Sequence, residues 1–126
     1  MGRRFASGLF LLVALSVGLG AFGHGDQWLR HVSQALGGVA PRVFTLLELI
    51  WFWVSGTMLA FGVLLVWCWW RLRRGDRGAL FVAWTVGAFY LLGGAAGTLL
   101  LGPFFAVFMV QALLLSAAAW MLRRPS

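Results

Sequence analysis

Glu48, His24, Arg42 and Gln111 are the residues whose types could do chemistry in an otherwise apolar chain. Glu48 is the only acidic residue inside an apolar stretch. A charged group at the centre of a bilayer costs at least about 2.5–3.5 kcal/mol, so such a residue is a functional candidate by default. With His24, Arg42 and Gln111 turned toward it, Glu48 would make a ligand or proton site in an outward-facing pocket. The plainer alternative is a carboxylate at the membrane edge, paired with Arg30, Arg42 or a loop amide. His24 and His31 are the only histidines. Together with Asp26 and Glu48 they could converge on one ion, but nothing in their spacing requires it. A zinc site needs three or four ligands, and intramembrane haem needs histidines on facing helices inside a bundle. No metal and no cofactor is therefore expected, and a quinone or haem redox protein is the least favoured of the readings weighed. Cys68 is the single cysteine, which excludes an intrachain disulfide and any CxxC chemistry. Phosphate-binding glycine loops, a Ser–His–Asp set and paired carboxylates have no counterpart in the chain, which argues against a hydrolase or a nucleotide-dependent enzyme.

The elements that must position these residues are membrane spans. The chain has 126 residues, 62% hydrophobic and 10% charged, with a mean hydropathy of +0.92. An ordinary soluble domain is about 45–50% apolar and about 25% charged. A water-soluble fold of this length could not hide so much apolar surface, so lipid must be its solvent. The net charge of +7 would suggest nucleic acid in a soluble protein. Here the arginines flank apolar runs, so they are topology signals and no nucleic-acid partner is expected. All ten basic residues are arginine, the bias of a GC-rich genome, which points to bacteria.

Four spans are expected, at about 5–23, 44–70, 79–101 and 104–122, in one transmembrane domain. Each approaches the roughly 20 residues that a helix needs to cross. The first could be a signal peptide, since Ala21-Phe22-Gly23 resembles a cleavage site, but its apolar run exceeds the usual h-region of about 7–15 residues. The second carries its own depth gauge. Trp51 and Trp70 stand about 28 Å apart along a helix, close to the hydrocarbon thickness of about 30 Å, and tryptophan prefers the two interfaces. Glu48 then lies one turn outside Trp51, toward the outer surface. Arg3, Arg4, the 71–78 loop and the pair Arg123–Arg124 hold eight of the ten arginines. Both termini should therefore be cytoplasmic, with the 24–43 loop outside.

Within that loop Trp28, Leu29, Val32, Ala35, Leu36 and Val39 form an apolar stripe of helical period. The pattern predicts a short amphipathic helix over 27–36, lying flat on the membrane with Asp26 as its N-cap and Gly37-Gly38 as its stop. Gly102-Pro103 predicts a tight hairpin between the last two spans. Lipid gives helices no hydrophobic reason to associate, so small residues should mark the contacts. Gly93 and Gly97 in the third span, Gly18 in the first and Gly56 in the second are the packing candidates. Thr57, Tyr90 and Gln111 are expected as hydrogen-bonding groups between helices, and Cys68 as an inert packing residue.

The layout resembles the small four-helix inner-membrane proteins of bacteria, including DoxX-like families. The resemblance rests on Gly2-Arg3-Arg4 before a glycine-rich first helix, the outer Gly23-His24-Gly25, the tryptophan-rich second helix, the Arg71–Arg77 loop and the Gly102-Pro103 hairpin. It covers the whole chain as architecture and implies a fold and a compartment. The chain looks less like the small multidrug-resistance transporters, whose first helix carries a deep glutamate. The expectation is an all-α integral membrane four-helix bundle that works as a non-enzymatic accessory or assembly subunit, with lipid, other membrane subunits or itself as partners. The alternative is a small transporter or ligand-binding bundle with a pocket near Glu48.

Overall fold

A computed structural model describes residues 2–123, and Arg124, expected to close the last span, lies outside the described residues. The described residues contain no strand. Four helices are long and apolar enough to cross a membrane: α1 (Gly2–Ala35), α2 (Pro41–Arg73), α3 (Gly78–Leu100) and α4 (Pro103–Leu122). Each buries one stripe and turns the rest outward. In α1 the stripe is Ala6, Phe10, Val13, Ala14, Val17, Gly18 and Ala21, and in α2 it is Ser55, Met58, Gly62, Leu65, Cys68 and Leu72. These spacings of three and four keep one face of a helix toward its neighbour. The outward faces are as apolar as the buried ones: Leu12, Leu19, Phe81, Leu92 and Leu113 are all exposed. In water such a surface would drive aggregation, whereas in lipid it is the solvent-facing side.

The helices do not contact one another evenly. α1 packs most extensively on α2 and also lies along α4, and α3 packs on α4, while α2 touches α3 lightly and α4 barely. The two close pairings follow from glycine. A Cβ at Gly62 would fall on the backbone of Gly18, so α1 and α2 meet main chain to main chain there. A Cβ at Gly94 would meet the backbone nitrogen of Met109 at 2.8 Å, and one at Gly97 would meet the Phe105 ring at 2.6 Å. Gly56 and Gly93, which carry the same small-residue spacing, face open space instead. The α3–α4 hairpin turns at Gly102, whose φ of +129° an L side chain rarely adopts. Its N–H and that of Leu101 both return to the Gly97 carbonyl, at 3.2 and 2.8 Å.

The first helix runs further than its composition predicts. No separate helix lies over 27–36: the chain continues unbroken from Gly2–Gln27 through a π-turn at Trp28–Val32 into Ser33–Ala35. Asp26 is not a cap, because it sits inside the helix and pairs with Arg30 one turn on, at 2.7 Å. The physical reason is that nothing before Gly37 breaks the helix. Gly23 and Gly25 keep ordinary negative φ, and the first left-handed residue is Gly38 at +100°. With 34 and 33 residues, α1 and α2 are each about 50 Å long at the standard rise. α3 and α4, with 23 and 20 residues, are about 35 and 30 Å long. The four helices are level at the arginine-bearing end, where Gly2 adjoins Met121 and Arg3 reaches the Arg73 carbonyl. The first two therefore overhang at the other end.

Candidate functional site

Where the overhang begins, α1 and α2 are clamped by aromatic residues. Trp28 is 1% exposed and lies between the rings of Phe44, at 5.5 Å, and Trp51, at 5.7 Å. Its indole Nε1 donates to Glu48 Oε1 at 3.2 Å. Trp51 stacks flat on the His24 imidazole, with centroids 4.2 Å apart and planes 12° off parallel. Its Nε1 donates to the His24 carbonyl at 2.6 Å. His24 Nδ1 meets Ser55 Oγ at 2.8 Å, and that hydroxyl donates to the Trp51 carbonyl at 3.2 Å. The hydroxyl thus lies between the Trp51 carbonyl and the imidazole and ties the ring to α2.

The four residues singled out from sequence thus part company. His24 and Glu48 belong to one cluster, joined through Trp28 and Trp51. Gln111 lies elsewhere, on the seam between α1 and α4, where its Nε2 donates to Ser16 Oγ at 3.0 Å. Ser16 precedes His24 by eight residues, about 12 Å along α1. Arg42 is exposed in the first turn of α2. Among the described residues the ion pairs are Arg30–Asp26 and Arg71–Asp76, so Glu48 is bonded by an indole and not by an arginine. No group of three metal-ligating residues converges among the described residues. His31 is exposed on the overhang.

A cleft of about 430 Å³ opens on the other side of His24, between α2 and the α3–α4 hairpin. It exists because α2 follows α1 and leaves the hairpin only lightly touched. Its walls are aromatic: Trp53 and Phe61 from α2, Phe89 and Tyr90 from α3, Phe105 and Phe108 from α4. Gly93 lines it without a side chain, and a Cβ there would meet nothing within 4 Å. That glycine serves space, not helix contact. Thr57, on the same wall, spends its hydroxyl on the Trp53 carbonyl of its own helix, at 2.9 Å.

Tyr90 is the anomaly of the cleft. It is 7% exposed, with Phe108 edge-on at 5.8 Å and Phe61 tilted at 6.2 Å. Its hydroxyl is covered and has no hydrogen-bond partner, a condition it shares among the described residues with Gln111 Oε1. A buried polar group left unpaired costs about 1–3 kcal/mol. No carboxylate, thiol or amine lines the cleft, and His24 is its one titratable wall apart from the phenol. Such a site offers aromatic faces, an imidazole edge and a phenol behind two rings. Sequence reasoning did not single out Ser55, and of the six aromatic walls, which come from three helices, it singled out Tyr90 alone, as a hydrogen-bonding group between helices, whereas its hydroxyl has no partner. Set against known proteins, the chain matches no family model, no curated protein and no solved structure.

Proposed function

We propose that this protein is a non-enzymatic, multi-pass bundle of a bacterial inner membrane that holds a lipid-soluble ligand in the cleft between α2 and the α3–α4 hairpin. The observation that carries this reading is an aromatic cleft of about 430 Å³, with a buried, unpartnered Tyr90 hydroxyl in its wall. Small-molecule sites have volumes of about 300–1,000 Å³, mostly apolar walls and a few convergent polar groups. The ligand class that fits is largely apolar, flat or chain-like, with an acceptor for the phenol once the Phe61 and Phe108 rings that cover it shift aside. It reaches the site sideways from the lipid, since the flanking faces of α2 and α3 are themselves apolar. The arginine-bearing end faces the cytoplasm under the positive-inside rule, and the overhang with Glu48 and the Trp28 clamp faces outward. Glu48 supports the clamp, so the pocket first sought beside it moves to the cleft.

Gly93→Leu tests this directly. The new side chain starts from a Cβ that meets nothing within 4 Å and adds its bulk on the cleft wall. Organic extraction of the purified wild-type protein, followed by mass spectrometry, should give one small molecule in near-equal amount to the chain. Gly93→Leu should lose it while melting no lower than the wild-type protein stripped of the molecule, since a bound ligand itself raises the melting temperature. Retention of the molecule in this variant would sink the cleft as its site.

A second reading is an accessory or assembly subunit, with a helix of a larger complex filling the same seam. It is favoured by α2, of whose apolar window only 17% is buried, against 39% in α1, and whose Trp53 is 75% exposed. Native mass spectrometry from mild detergent separates the two: a partner chain lost on Trp53→Ala supports the subunit, and a lone chain carrying a small molecule supports the binder.

A further inference from the structure

The opposite end of the bundle holds a second cleft, of about 700 Å³, lined by Arg3, Arg4, Ser7, Arg73 and Leu122. Three guanidinium groups from two helices thus share one opening. Arg3 and Arg73 are held in place by the fold. Trp69 Nε1 donates to both the carbonyl and the hydroxyl of Ser7, at 3.0 and 2.9 Å. Arg73 lies over that anchored indole, 5.0 Å from its centroid, and Arg3 donates to the Arg73 carbonyl at 3.4 Å. The first-turn N–H groups of α1, which lack helical partners, add the positive end of its dipole.

Among the described residues the charge in this cleft has no protein counterion. Asp76 is the only acidic side chain near this end of the bundle, and it is spent elsewhere. It accepts the Gly78 N–H at 2.8 Å and Arg71 Nε at 2.7 Å, which hold its carboxyl below the ordinary 3.8. Arg71 and Arg74 also stack on Trp67 and Trp70, and Arg123 on Trp120. These Trp–Arg pairs mark the depth where ring and guanidinium sit at a membrane surface. Arg3, Arg4 and Arg73 lie at that depth and surround an opening with an apolar flank at Leu122.

We propose that this cleft binds the phosphate group of an anionic phospholipid of the adjoining leaflet, held by Arg3, Arg4 and Arg73, with the acyl chains passing Leu122 into the bilayer. Basic pockets between transmembrane helices recognise such headgroups. The site is independent of the aromatic cleft and stands whether or not that cleft is filled.

The test is thermal melting of the full chain in neutral detergent, titrated with phosphatidylglycerol, with phosphatidylcholine or with inorganic phosphate. Phosphatidylglycerol should raise the melting temperature saturably, and phosphatidylcholine should not. Arg3→Gln and Arg73→Gln should each weaken the apparent affinity about fivefold, the usual worth of one arginine near an anionic surface. Arg77→Gln, in the same loop region but outside the cleft, should leave it unchanged. Bound lipid counted by native mass spectrometry, at a temperature where all variants are folded, separates lost binding from lost stability. An equal response to both lipids, or equal weakening by Arg77→Gln, would overturn the site in favour of diffuse surface charge. A matching shift from inorganic phosphate that displaces the lipid would overturn the lipid as its occupant.

Discussion

The clamp at the start of the overhang and the cleft beside it are built from the same materials, aromatic rings around a few polar groups, and they meet at His24. In the clamp the polar groups answer one another: Trp28 has Glu48, Trp51 has the His24 carbonyl, and His24 has Ser55. In the cleft the Tyr90 hydroxyl has nothing. The difference lies in helix spacing. α1 and α2 are drawn together at Gly18 and Gly62, so their aromatics interlock, while α2 and the α3–α4 hairpin hardly touch. Residue type alone therefore does not separate a cluster whose polar groups pair from one that leaves a hydroxyl unpaired; the distance between backbones does.

The sharpest way to break the comparison is to remove the clamp. Trp28→Ala deletes a side chain that is 1% exposed and leaves the Glu48 carboxylate without its indole. A buried tryptophan cut to alanine loses about 3–5 kcal/mol. Chemical unfolding in detergent should show a loss of that size, whereas Trp53→Ala, at 75% exposure, should change stability little. A loss of comparable size from both would mean that the clamp is no more structural than the cleft wall. Gly62→Val comes next, because its Cβ lands on the Gly18 backbone and must push α1 from α2. Overpacking of this kind costs about 1–3 kcal/mol. Gly56→Ala, facing open space, should be neutral or gain up to about 1 kcal/mol from helix propensity.

That glycine pair shows how far the sequence could be read. A run of some twenty apolar residues has few solutions in lipid, so the four spans and the Gly102 hairpin were legible. The small-residue spacing was legible only as a pattern. It recurs on faces that meet a helix and on faces that meet lipid, and Gly62 and Gly94 take the close contacts where Gly56 and Gly93 do not. The overhang was misread because an apolar stripe of helical period fits a helix lying on a membrane and a helix continuing upward alike. The missing signal was negative: no proline or left-handed residue stands between Gln27 and Gly37. The cleft had no local signature, since its walls come together only once α2 is placed against α1.

Tyr90→Phe tests the cleft side of the comparison, and its expected sign is unusual. Removing a hydroxyl that is buried and unpaired should stabilise the ligand-free bundle, by about 1 kcal/mol. The same change should reduce retention of the extracted molecule, since the phenol is its prospective donor. A destabilised Tyr90→Phe protein would mean that the hydroxyl is already satisfied, and the contrast with the clamp would collapse.

The smallest effect should come from the residue that first drew notice. Glu48→Gln keeps an oxygen where Trp28 Nε1 donates, so stability should stay within about 0.5 kcal/mol, as for most changes that spare a packed core. Ligand retention should also be unchanged, because Glu48 does not line the cleft. Glu48→Leu removes the acceptor and strands the indole N–H of a buried tryptophan, a loss of about 1–3 kcal/mol. If Gln behaves like the wild type and Leu does not, Glu48 acts through its hydrogen bond and not through its charge. Should Glu48→Gln instead abolish ligand retention with stability intact, the carboxylate itself would be the functional group, and the clamp would be the binding site.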